Sequence, residues 1–555
     1  MLSGVAFLQT PHGDIQPHFV NQYVLTDVYQ FAVSTPSLCI PLLPSITTLI
    51  DPLSKLPTIL GSILRTSLLV LLSHLPGSSQ AIKKISVANT AIIYHDGRAL
   101  ATGESGPPMR IALPSLETIG WFNGQSAEGE TENTSGHGSI RAFGDDGLLA
   151  FFREWTTAHP RADPRTKELL LFHSTFVPPY VRYSIIPEEK SKAEINYLIN
   201  VPVPGITSPK MMHDFGVSSS HTIILDLPLS LAPQNLLVNR PVVSFDTSSA
   251  SRFGVFPRYE PSKVRWFETK PCCIFHTANA WDSPDAVHLL VCRLTSASLV
   301  FSAGDLPTAL TENEECRLYY YQFSLHSSSI AQEWALLSLP FEFPSVAKSY
   351  SMDSARYVYG CSSSSTFTTA LGRTVKIDAL VRVDVQELIA RGISNPPCAV
   401  TGCVDNRSMD DIVASNDPDD PIRVFKLPEG WYAQEPRFVS QDNGNEEDGW
   451  LLTYVFDEQQ LQSSGEIDDD AVSELWIIDA KRMSEGMRSV IARVKLPQRV
   501  PYGLHGSWFT KEEVAGQRPW NSIRSAPVSK TCKTDNKIYD DWWVELRRTL
   551  LSYIG

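Results

Sequence analysis

Four histidines in this chain stand in short, distinctive contexts: His159 in TTAHP, His213 in MMHDF, His276 in IFHTANAWD and His505 in LHGSW. Imidazole is the commonest protein ligand for zinc, copper and iron. Taken singly, each of these histidines is more often structural than a ligand. Spread over more than half the chain, they cannot form a local finger and can meet only where distant segments converge. Three glutamates stand in similarly marked contexts: Glu104 in TGESGPP, Glu342 in PFEFPSV and Glu435 in QEPRFV. A metal-bound imidazole needs its second ring nitrogen held, and a carboxylate does this well. Four ligands with three carboxylates to orient them make a complete metal site. Glu342 lies between Phe341 and Phe343. Strand alternation sets it opposite both rings, where a buried carboxylate needs a partner. Asp214 directly follows His213, so on a strand it points to the other face and reads as structural rather than as a fifth ligand.

The texture beyond residue 85 shows what must position these groups. Short apolar runs alternate with turn residues, as in KISVANTAIIYHDGRALAT, TTAHPRADPRTKELLLFHS and SELWIIDAKRMSEGMRSVIARVKLP. Hairpins at fairly regular spacing imply an all-β sandwich, barrel or propeller. A propeller gathers the inner strands of its blades around one axis, which lets distant histidines meet. The chain has no WD or kelch repeat, so pattern alone does not choose the propeller. His95 in the HDG turn is expected at the surface, and 405–421 reads as an acidic surface loop.

Composition narrows the function classes. The chain has 555 residues, 43% of them hydrophobic, and a net charge of −14. That charge argues against a general nucleic-acid role, which needs an excess of Lys and Arg. Nine cysteines without a CxxC pair give no zinc ribbon, and their odd number suits a reducing compartment. MLSGVAFLQTPHGD lacks the basic region and apolar run of a secretion signal. Together these predict a cytoplasmic protein. The pairs Cys272–Cys273 and Met211–Met212 read as core packing.

The same stretches carry a family resemblance. NTAIIYHDGRALATGESGPP, TTAHPRADPRTKEL, MMHDFGVSSSHTIILDLPLSL, RFGVFPRYE, VRWFETKPCCIFHTANAWD, FEFPSV, SELWIIDAKRM and RVKLPQRVPYGLHGSW occur in order from about Ile85 to the C-terminus. The chain resembles the carotenoid cleavage oxygenases, and within them the fungal torulene-cleaving branch. The resemblance implies a seven-bladed β-propeller with a helical and loop cap over the metal axis. It implies Fe(II) bound by His159, His213, His276 and His505, with Glu104, Glu342 and Glu435 hydrogen-bonding three of the rings. It further implies a dioxygenase that splits a conjugated C=C bond of a carotenoid or apocarotenoid with O2, giving two carbonyl products and needing no organic cofactor. Phe275, Trp155 and Trp281 are candidate tunnel residues by their closeness in sequence to the ligands.

Residues 36–84 differ in character. They are an apolar stretch, expected to be a membrane-facing helical insertion in one propeller domain spanning 1–555. The run from 59 to 75 carries Arg65 near its middle, which disfavours a spanning helix and leaves a helix lying in a single leaflet or a buried core helix; the resemblance favours the leaflet. Arg65 is then expected at headgroup level. Only a weak echo of the family's opening strands precedes this stretch, so the first blade is expected to be incomplete and the N-terminus shortened. Three other readings remain open. One is a relative that cleaves a stilbene or another phenolic alkene, and one is an inert propeller used as a binding module. The weakest is a zinc hydrolase, because no nucleophile or HExxH is present and catalytic zinc keeps three protein ligands and a water.

Overall fold

A computed structural model describes residues 1–34, 56–73, 75, 82–131, 142–144, 153–188, 198–231, 235, 242–297, 316–364, 376–441, 444–462, 464–468, 470–503 and 505–526. Six four- or five-stranded sheets follow one another along the chain as blades of a β-propeller. Their first strands are Ala91–His95, Arg161–Ala162, Gly216–Val217, Cys273–Asp282, Glu342–Ser345 and Trp431–Ala433. Contacts join the first strands of the first and second blades, of the third and fourth, and of the fourth and fifth. These strands therefore line the axis.

The inner sequences explain the stacking. Middle strands such as Ala286–Leu294 (AVHLLVCRL) are buried along most of their length, as expected of a sheet covered on both faces. Successive residues serve opposite neighbours. Leu289 packs with Ile223 and Phe253 of the third blade, and Leu290 packs with Val381 and Val383 of the fifth. Comparable clusters join the first blade to the second through Leu100 and Leu171, the second to the third through Tyr183 and Phe215, and the fifth to the sixth through Leu380 and Trp476. The first hairpin turns at Asp96 and Gly97, with φ of 50° and 76°. Two successive left-handed residues are what a two-residue hairpin turn needs.

The blade count departs from the implied seven: six are present among the described residues. Between the sixth blade and the first lies a separate two-stranded hairpin, Leu2–Gln9 with Ile15–Gln22. Leu2 and Val20 pack on the first blade's Ala99 and Leu116, and Tyr454 of the sixth blade donates to the Ser3 carbonyl at 3.4 Å. The opening strands thus fill the closure as a hairpin instead of completing a blade. The C-terminal segment adds to this closure. Phe509 and Val514 join the same cluster, and the Gln517 amide exchanges two hydrogen bonds with the Leu113 backbone at 2.7 and 2.8 Å.

Two further expectations give way. His95 is buried, not at the surface, because the C-terminal segment crosses the turn and Arg518 bonds Asp96. Burial pushes the His95 imidazole down from 6.5 to about 4. A lowered histidine stabilises the fold fully above its unfolded pKa and loses this as pH falls through the folded value. Acidification from pH 6.5 to 4 is therefore expected to cost about 3 kcal/mol from this residue. A His95→Phe variant should lose much of that slope in chemical denaturation at both pH values. The stretch 405–421 is also not a bare loop. It contains the helix Met409–Val413, and Arg407 clamps Asp405 and Asp420 there at 2.7 Å each. Cys272, Cys273 and Met212 lie in the core.

The apolar stretch contains the helix Leu56–Ser73, while 36–55, 74 and 76–81 lie outside the described residues. One helix face packs inward: Val70 is buried with Ile82 and Ile85, and Leu69, Leu71 and Trp155 lean on them. Leu64 and Leu68 face outward, 71% and 38% exposed, followed by Leu75 at 41%. By helical spacing Leu64 and Leu68 share one face, and Leu75 lies just beyond the helix end. The Arg65 guanidinium is not extended to solvent: its three nitrogens are buried without a hydrogen-bond partner, and burial lowers its pKa. Among the described residues no helix is long and apolar enough to cross a membrane.

Candidate metal centre

Each blade contributes one group to a single point on the axis. His159 precedes the first strand of the second blade and His213 that of the third, while His276 lies within the first strand of the fourth. Glu342 opens the first strand of the fifth blade, Glu435 follows that of the sixth, and Glu104 follows Arg98–Thr102 of the first. His505 arrives from the C-terminal segment. One ring nitrogen from each of the four histidines lies within 4.8 Å of every other.

Local irregularities aim these groups. Between Ile274 and Thr277 the fourth blade's first strand loses register with its neighbour, and this bulge carries His276. Bulges re-aim side chains beside active sites. Glu342 is followed by Phe343 at φ 52°, a rare backbone state for a bulky residue and one that gathers at functional sites. Alternation therefore fails there. Phe341 is fully buried, but the Phe343 ring turns toward the centre, 5.3 Å from the His276 ring and 5.5 Å from that of His505. Around Glu104, the glycines allow close approach: a Cβ on Gly106 would meet the Ser86 Cβ at 2.7 Å.

Three rings are held from behind. His276 Nδ1 lies 2.6 Å from Glu342 Oε2, His505 Nδ1 lies 3.2 Å from Glu435 Oε1, and His213 Nδ1 pairs with Glu104. A carboxylate at Nδ1 keeps the proton there and leaves a lone pair on Nε2. Burial works against a charged His276, but the Glu342 carboxylate outweighs it and raises the pKa. Burial likewise opposes the Glu435 charge, yet the His505 hydrogen bond and Arg437 bring its pKa down. Among the described residues no carboxylate pairs with His159; burial first, then the other three histidines, push it well below its usual value. It is held as a neutral imidazole, the ligating form.

The donor set fits a first-row divalent metal. His276 Nε2 is buried with no hydrogen-bond partner, which a cation would satisfy. His159 Nε2 and His213 Nε2 are 2.9 Å apart. Two nitrogens each about 2.1 Å from one ion are about 3.0 Å apart at an octahedral right angle and about 3.4 Å apart at a tetrahedral angle. That spacing lets both nitrogens reach one first-row ion.

The candidate tunnel residues divide. The Phe275 ring stands 5.6 Å from that of His213. Trp155 packs edge-on against Phe176 at 5.0 Å and touches the cluster under the apolar helix. Trp281 is away from the centre: it stacks on His288 at 5.0 Å at the far end of its strand. Asn279 and Asp282 tie blades together. Asn279 bonds the backbone of Met352 and Asp353, and Asp282 bonds Ser218, Ser219 and His221. Asp214 points away from the histidines' nitrogens, toward Arg161. Sequence reasoning missed Phe343 because alternation hid it, although its place beside Glu342 was a signal.

A propeller axis that gathers four imidazoles and three carboxylates makes a candidate metal centre, and comparison with known proteins shows the family. Residues 1–510 match the family described as Retinal pigment epithelial membrane protein. The chain belongs to this family, the carotenoid cleavage oxygenases. It is 49% identical to Carotenoid dioxygenase carX of Gibberella fujikuroi over an alignment of 617 residues, covering 100% of this chain and 88% of that protein. It is 31% identical to an Arabidopsis thaliana Carotenoid 9,10(9',10')-cleavage dioxygenase 1, over 78% of this chain and 68% of the relative. The alignment with the Gibberella protein is longer than this chain's 555 residues. That relative therefore carries internal segments with no counterpart here. Solved structures share the fold. A Pseudomonas brassicacearum lignostilbene dioxygenase aligns with TM-score 0.56 and 21% identity over 78% of this chain and 77% of its own. A mutant Synechocystis apocarotenoid oxygenase aligns with TM-score 0.53 and 20% identity, over 77% and 75%.

Proposed function

We propose that this protein is a non-haem Fe(II) dioxygenase that cleaves a conjugated C=C bond of a carotenoid or apocarotenoid, of torulene type, with O2, releasing two carbonyl products. The observation that carries the reading is the meeting of four histidine nitrogens, three of the rings backed by a carboxylate. The resemblance to Carotenoid dioxygenase carX over the whole chain supports the substrate class. His159, His213, His276 and His505 would hold the iron, and Glu104, Glu342 and Glu435 would fix three of the rings. Bound there, ferrous iron supplies open positions at which O2 is activated. The chain's own part is to position and exclude. The neutral imidazoles leave the metal its full positive charge, and the carboxylates fix their tautomers. Phe275 and Phe343 present apolar ring surface beside the centre, where a polyene can be held by contact and water kept out. Expression in a carotenoid-producing host, with mass analysis of the extract, tests the reading. The expected result is a pair of aldehyde or ketone fragments absent from the vector control; unchanged carotenoids count against it.

A polyene barely dissolves in water, so loading from a membrane is part of the same reading. The stretch 36–84 is then an insertion that meets one leaflet through residues 59–75, with Leu64, Leu68 and Leu75 as its exposed leucines. Each such leucine entering lipid stabilises attachment by about 1.5–3 kcal/mol before orientation costs. Replacing all three with serine is expected to move the protein from the membrane pellet to the supernatant. It should slow cleavage of membrane-embedded substrate more than of detergent-dispersed substrate. Unchanged pelleting and equal slowing in both assays would remove the leaflet from the account.

A further inference from the structure

A second set of polar groups lies directly behind the histidines. Arg161 is two residues after His159, Asp214 is next to His213, and Thr277 is next to His276. The three meet. Arg161 Nη2 donates to both Asp214 oxygens, at 2.8 and 2.6 Å. The same nitrogen lies 2.7 Å from Thr277 Oγ1 and 3.0 Å from the Thr277 carbonyl. The Thr277 N–H donates to Asp214 Oδ2 at 2.7 Å, and the Phe215 N–H donates to Asp214 Oδ1 at 2.7 Å. Thr277 Oγ1 reaches the Phe215 carbonyl at 2.9 Å. A second tie runs alongside: Thr157 Oγ1 donates to the His213 carbonyl at 2.8 Å and accepts from the His159 N–H at 3.0 Å.

These bonds join the axial strands of three successive blades at the residues that flank the ligands. The apolar clusters between these blades fix distance but not the angular register of one strand against the next, and other polar ties, such as Asp282 to Ser218 and His221, join the blades at residues that do not adjoin the ligands. The Asp214 side chain is only 1% exposed, and one charged acceptor collects donors from all three blades. Bonds to a charged, buried acceptor are the strong and directional ones. Asp214 and Thr277 bond Arg161 and backbone groups, while the His213 and His276 nitrogens reach the centre; the unit therefore holds the backbone that carries the rings.

We propose that Arg161, Asp214 and Thr277 form a positioning unit that sets the mutual angles of His159, His213 and His276, and with them the geometry and affinity of the metal site. This rests on the metal reading above. The unit touches no ligand nitrogen; it acts through the backbone that carries them.

Cobalt(II) tests this without turnover, because its visible spectrum reports coordination geometry. Metal-free full-length protein is titrated with cobalt(II), and the thermal midpoint is measured on the same samples. Asp214→Asn keeps the shape but removes the charge. It is expected to weaken cobalt binding about 10–100-fold, the usual cost of losing an outer partner, and to shift the visible bands. Thr277→Val should move the spectrum in the same direction, and Thr277→Ser, which keeps the hydroxyl, should restore it. Wild-type affinity and bands in Asp214→Asn with only a lower midpoint would overturn the proposal and leave a purely structural tie. If Asp214→Asn does not fold, the Thr277 pair decides: wild-type bands in Thr277→Val overturn it, and shifted bands that Thr277→Ser restores support it. Wild-type protein that takes up no cobalt overturns the metal reading itself, and this proposal with it.

Discussion

Replacing His276 with alanine is expected to give protein that retains no iron and forms no product. Its Nε2 is buried without a hydrogen-bond partner, and its Nδ1 is fixed by Glu342 at 2.6 Å. Alanine removes a metal-ligating nitrogen and takes the His276 partner from the Glu342 carboxylate, which is 5% exposed. A hydrogen bond to a charged group contributes about 1.5–3 kcal/mol, so the variant should also unfold at a lower temperature while keeping the wild-type circular dichroism. Metal analysis of the purified protein and product formation check the two halves separately. Iron content equal to wild type would contradict the assignment of this ring as a ligand.

Glu342→Gln carries the second-largest expected effect. Glu342 Oε2 accepts from His276 Nδ1 and from the Phe343 N–H at 2.7 Å, and Cys316 Sγ approaches Oε1 at 3.7 Å. Glutamine keeps one acceptor oxygen but loses the charge that orients the imidazole and raises its basicity. Outer-shell losses of this kind cost about 10–100-fold in affinity or turnover. The fold should survive, since the side chain keeps its size and one acceptor. Turnover and iron affinity at wild-type level would make Glu342 a structural residue that shapes the strained turn at Phe343.

The site was legible in sequence to the extent that chemistry sits in local context. HP, HDF, HTANAWD and HGSW mark four histidines among thirteen, and ESGPP, FEFP and EPRF mark the glutamates. The hairpin texture gave the all-β class. What local pattern does not carry is long-range closure. The blade count depends on how 2–22 pairs, and those residues formed a separate hairpin. His95 follows a surface-turn pattern, yet a segment more than four hundred residues away covers it. Phe343 breaks alternation because its φ is positive, which no pattern of residue types announces. Trp281 is near His276 in sequence but five residues along an extended strand carry it away. Arg161, Asp214 and Thr277 are ordinary residues one by one; their meeting requires three blades to be in place.

The central claim is that this centre splits a carotenoid double bond with O2. The most direct measurement supplies iron-reconstituted protein with a torulene-type carotenoid under heavy-isotope oxygen gas and weighs the fragments. The account predicts two carbonyl fragments, formed only with iron, each carrying label from the gas. No cleavage by iron-loaded protein, or cleavage equal in metal-free protein, would contradict it.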